Sequence, residues 1–212
     1  MKLPKRQNCV LEPKFKKLSK NIKKLLNISE KSVITIVTDF FVREIMILGE
    51  YKRRDKINYY LDIAEAVLER GTCLRRNFGA IIVSNDRIVS TGYVGAPRGR
   101  ANCVDLGYCT REKLNIPKGQ RYELCRSVHA EANAIIAASR QDMLGATLYL
   151  ACHDAKTGEL YGDVEPCSMC KRMIINAGIT TVIIRNTHDT YSTINVESWI
   201  DKDDSIEGSN GY

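Results

Sequence analysis

Apolar positions along the chain change their period several times, and each change marks an element. In DKINYYLDIAEAVLERG (55–71), Ile57, Tyr60, Leu61, Ala64 and Leu68 recur at three- and four-residue spacings. That spacing predicts an amphipathic helix that stops at Gly71. Two short apolar runs follow, GAIIVS (79–84) and RIVSTGY (87–93), joined by the turn pair Asn85-Asp86, which predicts a β-hairpin. From Gly95 to Leu124 the chain is rich in Gly, Pro, Arg and Cys and reads as one long loop. Helix is expected again over 130–140, a strand over 146–151, a helix over 166–177 and a strand over 180–185. Pro166 suits the first turn of that last helix and Gly178 its stop. Near the C-terminus, Ile194, Val196 and Trp199 read as a final strand, a helix edge or an interface patch. The order helix, hairpin, helix, strand, helix, strand predicts an α/β fold with a mixed sheet and helices packed on it.

Charge divides this chain in two. The net charge of +7 comes from 32 Lys and Arg against 25 Asp and Glu, but residues 1–53 hold 13 against 5 and residues 54–212 hold 19 against 20. The expected organisation is therefore a basic extension over 1–53 and one domain over 54–212. Within the extension, Leu18, Ile22, Leu25 and Leu26 allow a short basic amphipathic helix. A solvated arm is favoured over a nucleic-acid or membrane contact. The apolar stretch at 33–48 is broken by Asp39, Arg43 and Glu44 and is shorter than the roughly 20 residues a membrane span needs. No membrane segment is expected.

Eight cysteines without an export signal point away from a disulfide scaffold and towards reduced thiols in a cytoplasmic compartment. Two stretches then supply chemistry. VHAEANAII (128–136) places Glu131 two residues after His129, and EPCSMCKRM (165–173) places Cys167 and Cys170 three apart behind a proline. One imidazole nitrogen and two thiolates are three of the four ligands a tetrahedral zinc ion takes, with the fourth position left for water. Both half-sites open a predicted helix, whose N-terminal end favours thiolate charge. Glu131 is too close along the chain to His129 to share the ion and is placed to move protons for the water. Hydrolytic deamination is the reaction class this set can perform.

H-x-E with P-C-x-x-C is the signature of the zinc deaminases. With TCLRRNFGAIIV (72–83) and STGYVGAPRGRANC (90–103), the chain resembles the deoxycytidylate deaminase branch of the cytidine/deoxycytidylate deaminase superfamily, from about Asp55 to Arg185. The resemblance implies a three-layer cytidine-deaminase-like fold and conversion of dCMP to dUMP with release of ammonia. It also implies His129, Cys167 and Cys170 as zinc ligands, Glu131 as proton shuttle, and the loop Gly95–Gly99 as a wall of the nucleotide pocket. A homo-oligomer is expected, as is regulation by a nucleotide with Mg2+. Val94 stands where the family reads asparagine and cannot hydrogen-bond a sugar or base. Asn77 is the candidate polar replacement, and Arg98 is the first choice for the substrate phosphate among Arg75, Arg76, Arg98, Arg100, Arg121 and Arg126. Cys73, Cys103, Cys109 and Cys125 form a candidate second, structural zinc site that would pin the long loop; the alternative is a set of small buried apolar residues, the reading given to Cys9 and Cys152. His153 and His188 read as surface residues.

Three functions stay open at this point: deamination of dCMP or another free nucleotide or nucleobase, deamination of adenosine in tRNA, and a late-competence protein of the same fold associated with DNA uptake. Residues 54–212 lack the positive charge expected of an RNA-acting surface, and Glu131 favours catalysis.

Overall fold

A computed structural model describes residues 53–117, 119–162 and 164–201. The expected basic extension up to residue 52, with its helix and Cys9, lies outside the described residues. Helix α1 (Lys56–Leu68) is followed by β1 (Arg76–Ser84), β2 (Arg87–Tyr93), the short helices α2 (Cys103–Leu106) and α3 (Thr110–Lys113), and a 3-10 turn (Tyr122–Leu124). Then come α4 (Ala130–Ile136), α5 (Arg140–Met143), β3 (Thr147–Asp154), α6 (Ser168–Ala177), β4 (Thr181–Arg185), β5 (Tyr191–Asn195) and α7 (Glu197–Asp201). The five strands form one mixed sheet in the order β2-β1-β3-β4-β5, with β3 and β4 parallel and every other pair antiparallel.

Strand alternation sends successive side chains to opposite faces, and both faces are covered. Ile81, Val83, Tyr149, Ala151 and Ile183 pack with Tyr60, Leu61, Ala64 and Leu68 of α1. Ala80, Ile82, Leu148, Leu150, Cys152, Val182 and Ile184 pack with Ala130 and Ala134 of α4 and Ile174 and Ala177 of α6. Helix, sheet and helices thus make the expected three layers. Cys152 is fully buried, and burial pushes its thiol up to about 12; it is an apolar filler, as expected. Among the described residues no helix is long and apolar enough to cross a membrane.

Two glycines set how closely the layers approach. A Cβ on Gly79 would stand 2.2 Å from the Ala64 carbonyl oxygen of α1, and one on Gly92 would stand 2.3 Å from both Ala130 O and Ala134 N of α4. Ser90 Oγ donates to Ala134 O at 2.8 Å, and Asn133 Nδ2 donates to Tyr93 O at 2.7 Å. Helix α4 therefore lies directly on β2, and this contact holds the start of α4 in place. The Gly92→Ala substitution meets backbone on α4, which cannot rotate away. It is expected to destabilise the protein by about 2 kcal/mol or more, read as a shift of the denaturant midpoint at unchanged slope.

Several elements depart from the expected pattern. The helix expected over 130–140 ends at Ile136 and a separate turn starts after the Ser139 cap, whose side chain accepts from Asp142 N. Strand β1 begins three residues early because Arg76, Asn77 and Phe78 pair with Asp154, His153 and Cys152 of β3. The long loop contains α2, α3 and the 3-10 turn; Asp105 accepts from the Asn102 backbone N–H at 2.8 Å, capping α2.

Arg185 ends β4 fully buried. Its Nε donates to Glu65 Oε1 at 2.5 Å, its Nη1 to the His188 carbonyl at 2.9 Å, and it also bonds Asp62 and Asn58. A buried guanidinium persists only with such a complete set of acceptors. His153 is largely buried beside it, Nε2 3.9 Å from Glu65 Oε2 and without a hydrogen bond, whereas His188 is exposed.

Candidate metal centre and active-site cavity

The chain reaches α4 through a bridge between Gly95 and Val128, with Val128 N donating to Gly95 O at 2.8 Å. This bridge and the Gly92 contact place His129 at the N-cap of α4. Cys167 is the N-cap of α6, and Gly178, in the left-handed region at φ +79°, ends that helix. Pro166 precedes the cap instead of opening the helix. The two helix starts converge: His129 Nδ1 lies 3.5 Å from Cys167 Sγ and 3.4 Å from Cys170 Sγ.

Those distances test the donor set. Zinc bonds of about 2.0–2.1 Å to nitrogen and 2.3 Å to sulfur, opened at a tetrahedral angle, separate the two atoms by about 3.6 Å. All three ligand atoms lie within 4.8 Å of one another, and among the described residues this is the group of His, Cys, Asp and Glu side chains gathered in that way. The residues present fit zinc. The hydrogen bond between Cys170 and Cys167 pushes the Cys167 thiol down to about 4 against the opposing effect of burial, and the same bond, with burial now acting in the same direction, pushes the Cys170 thiol up. Burial works against a charged His129, but hydrogen bonds to the Cys125 and Cys167 side chains, then the charge of Glu131, lift it to about 10.

Glu131 sits in the first turn of α4, 4% exposed. Burial raises its pKa, and the charge of His129 opposes the rise. A carboxyl group raised in this way is better able to hold a proton and pass it on than a free glutamate.

Beside the centre is a cavity of about 250 Å³ lined by His129, Glu131 and Cys167 together with Phe78, Val94, Tyr161 and Val164. Tyr122 stands edge-on to the His129 ring at 5.1 Å between centroids. Among the arginines considered from the sequence, Arg75 and Arg76 line this cavity. Arg98 and Arg100 are exposed on their loop, Arg121 pairs with Glu123, and Arg126 donates to Ala101 O at 2.6 Å. Asn77 accepts from Cys73 N at 3.2 Å and lines a neighbouring hollow of about 480 Å³.

Cys73, Cys109 and Cys125 also line the cavity. Cys103 is buried, and its thiol is raised by burial, opposed by a contact to Ser127, and raised further by the charges of Cys73, Cys125 and Cys109. The four sulfurs share one neighbourhood but are not drawn together as tightly as the His129 group. Sequence reasoning passed over Arg111, which is 5% exposed and lines the cavity; a charged residue in a four-residue helix carries no periodic signal.

A family model described as the cytidine and deoxycytidylate deaminase zinc-binding region matches residues 54–186. The chain is 37% identical over 136 residues to the deoxycytidylate deaminase of Mycobacterium phage D29, covering 62% of this chain and 94% of that protein. Against the deoxycytidylate deaminase of Schizosaccharomyces pombe it is 30% identical over 135 residues, covering 64% of this chain and 38% of that one. It thus spans nearly all of the phage relative and well under half of the yeast one. It is also similar to the apo crystal structure of dCMP deaminase from cyanophage S-TIM5, at 28% identity and a TM-score of 0.44, covering 64% of this chain and 87% of that one. With the matched region containing both converging helix starts, this chain belongs to the cytidine and deoxycytidylate deaminase zinc-binding family.

Proposed function

We propose that this chain hydrolyses dCMP to dUMP and ammonia at the His129–Cys167–Cys170 centre. The observation that carries this reading is the position of Glu131. It is a buried carboxyl with a raised pKa, in the first turn of the helix that His129 caps, lining the same cavity as two of the three ligands. A purely structural zinc holder has no use for such an acid. The names of the relatives, deoxycytidylate deaminases of phage and yeast, support dCMP as the substrate.

When bound, zinc lowers the pKa of a coordinated water towards 7. Glu131 accepts the proton from the attacking water as its oxygen bonds to C4 of the cytosine ring, and passes that proton to N3. It then takes the remaining hydroxyl proton and delivers it to the 4-amino nitrogen. The C4–N bond breaks, ammonia leaves, and C4 keeps the oxygen as a carbonyl. Phe78, Val94 and Val164 give the cavity an apolar wall, which limits water around the reacting ring and strengthens the charge interactions within it.

The same reading extends to the domain boundary and the wider organisation. Residues 54–212 form the deaminase domain, working in the cytoplasm as a homo-oligomer regulated by a nucleotide with Mg2+. Cys73, Cys103, Cys109 and Cys125 hold a second, structural zinc; the meeting of Cys73, Cys109 and Cys125 on one cavity supports it. The test is ammonia release from dCMP, CMP, deoxycytidine, dCTP and the free bases. dCMP is expected to be turned over best; equal or better turnover of another member of that set would reassign the substrate.

A further inference from the structure

Resting on the reading of dCMP as substrate, we propose that Arg111 is the residue that receives the phosphate of the nucleotide. Arg111 lies in α3, on the segment between the second hairpin strand and α4, and lines the same cavity as His129 and Glu131. It is 5% exposed. Its Nη2 donates to the backbone carbonyls of Pro117 at 2.9 Å and Gln120 at 2.5 Å. The face of the guanidinium lies 4.4 Å over the ring of Tyr122, the residue that stands edge-on to His129. Its Nε is buried and has no partner.

That arrangement is incomplete as a structural device. A guanidinium buried in an apolar setting needs acceptors and a counter-charge, as Arg185 shows with Asp62 and Glu65. Arg111 has two neutral carbonyls and a ring face, and among the described residues no carboxylate lies within ion-pair distance of it. The other arginines on the cavity are engaged elsewhere: Arg75 Nε pairs with Glu112 Oε1 at 3.3 Å, and Arg76 lies 3.7 Å over the Tyr161 ring. Arg111 is therefore a cavity cation held in place by two carbonyls, near enough to Glu123 and Cys125 for their charges to interact but without an ion pair, and with a buried Nε donor still open. A planar fork of donors matches phosphate oxygens better than any other side chain. The bonds to Pro117 and Gln120 fix the plane of that fork and remove most of the entropy that binding would otherwise cost.

The experiment compares dCMP with deoxycytidine, its counterpart without phosphate, on the zinc-loaded wild type, Arg111→Gln and Arg111→Lys. The ratio of kcat/KM values, dCMP over deoxycytidine, is expected to fall by about 30- to 1000-fold in Arg111→Gln, mostly through KM for dCMP, and by less in Arg111→Lys, which keeps the charge without the fork. Equal losses on both substrates would mean that Arg111 only braces Tyr122 and the loop, and an unchanged ratio would place the phosphate elsewhere; either overturns the proposal. If the wild type turns over neither substrate, the functional reading fails separately. Phosphorus-31 line broadening of inorganic phosphate then decides on Arg111: broadening present in wild type and lost in Arg111→Gln upholds an anion site, and identical spectra refute it.

Discussion

Replacing Glu131 by glutamine is expected to lower turnover of dCMP by about 10²–10⁴-fold while leaving the zinc content of the protein unchanged. Glutamine has the same shape and can hydrogen-bond the water and the ring, but it cannot carry a proton between them. The same substitution should stabilise the metal-stripped protein at neutral pH. Burial raises the folded-state pKa of Glu131 above that of a free glutamate, so between those two values the folded chain binds more protons than the unfolded one. Stability contributed at this position therefore falls as pH rises through that window, and is fully present only below the unfolded value of about 4.3. Glutamine has no such dependence. Melting curves of the two metal-stripped proteins should coincide near pH 4 and separate above it, with Glu131→Gln the more stable. A variant that is inactive and less stable at pH 7 would show that the carboxyl is a structural anchor.

Cys170→Ala is expected to remove zinc from the centre and to reduce turnover by about 10³-fold or more, because the low water pKa depends on the bound ion. Cys170 is fully buried, with its sulfur 3.4 Å from His129 Nδ1. The natural control is Cys152→Ala. That thiol is also fully buried, and burial pushes it up to about 12, yet it is not one of the three residues gathered as metal ligands. Its loss creates a small void in the core and should cost stability while sparing both zinc and turnover. Zinc content by mass spectrometry together with ammonia release separates the two cysteines. Equal effects from both would mean that the centre fails through packing and not through ligand loss.

The elements with strong periodicity were legible in the sequence: α1, the hairpin, β3, α6 and β4 all lie where apolar spacing put them, because each buries one regular face. Local chemistry also carried far. His129 and Cys167 announce themselves through fixed offsets to Glu131 and Cys170, offsets that only make sense at helix starts. The rest depends on partners distant in the chain. Arg185 reads as the polar end of a strand, and nothing near it indicates that it is buried against Glu65 and Asp62, 120 and 123 residues away. Arg111 was invisible for the related reason that its surroundings are set by how the 95–128 segment folds back over the site. Arg98, the first choice among the arginines on segments expected around the site, is exposed, and exposure of a single loop residue leaves no local pattern in the sequence. Asn77 sits in β1 opposite His153, and its side-chain oxygen accepts from the Cys73 backbone N–H.

The most direct test strips metal from the full chain and measures dUMP and ammonia formed from dCMP before and after zinc is returned. The account predicts no turnover from the stripped protein, recovery on adding zinc, and no recovery in Cys170→Ala or Glu131→Gln. Turnover that persists without metal, or a zinc-loaded wild type that leaves dCMP and its relatives untouched, would contradict it.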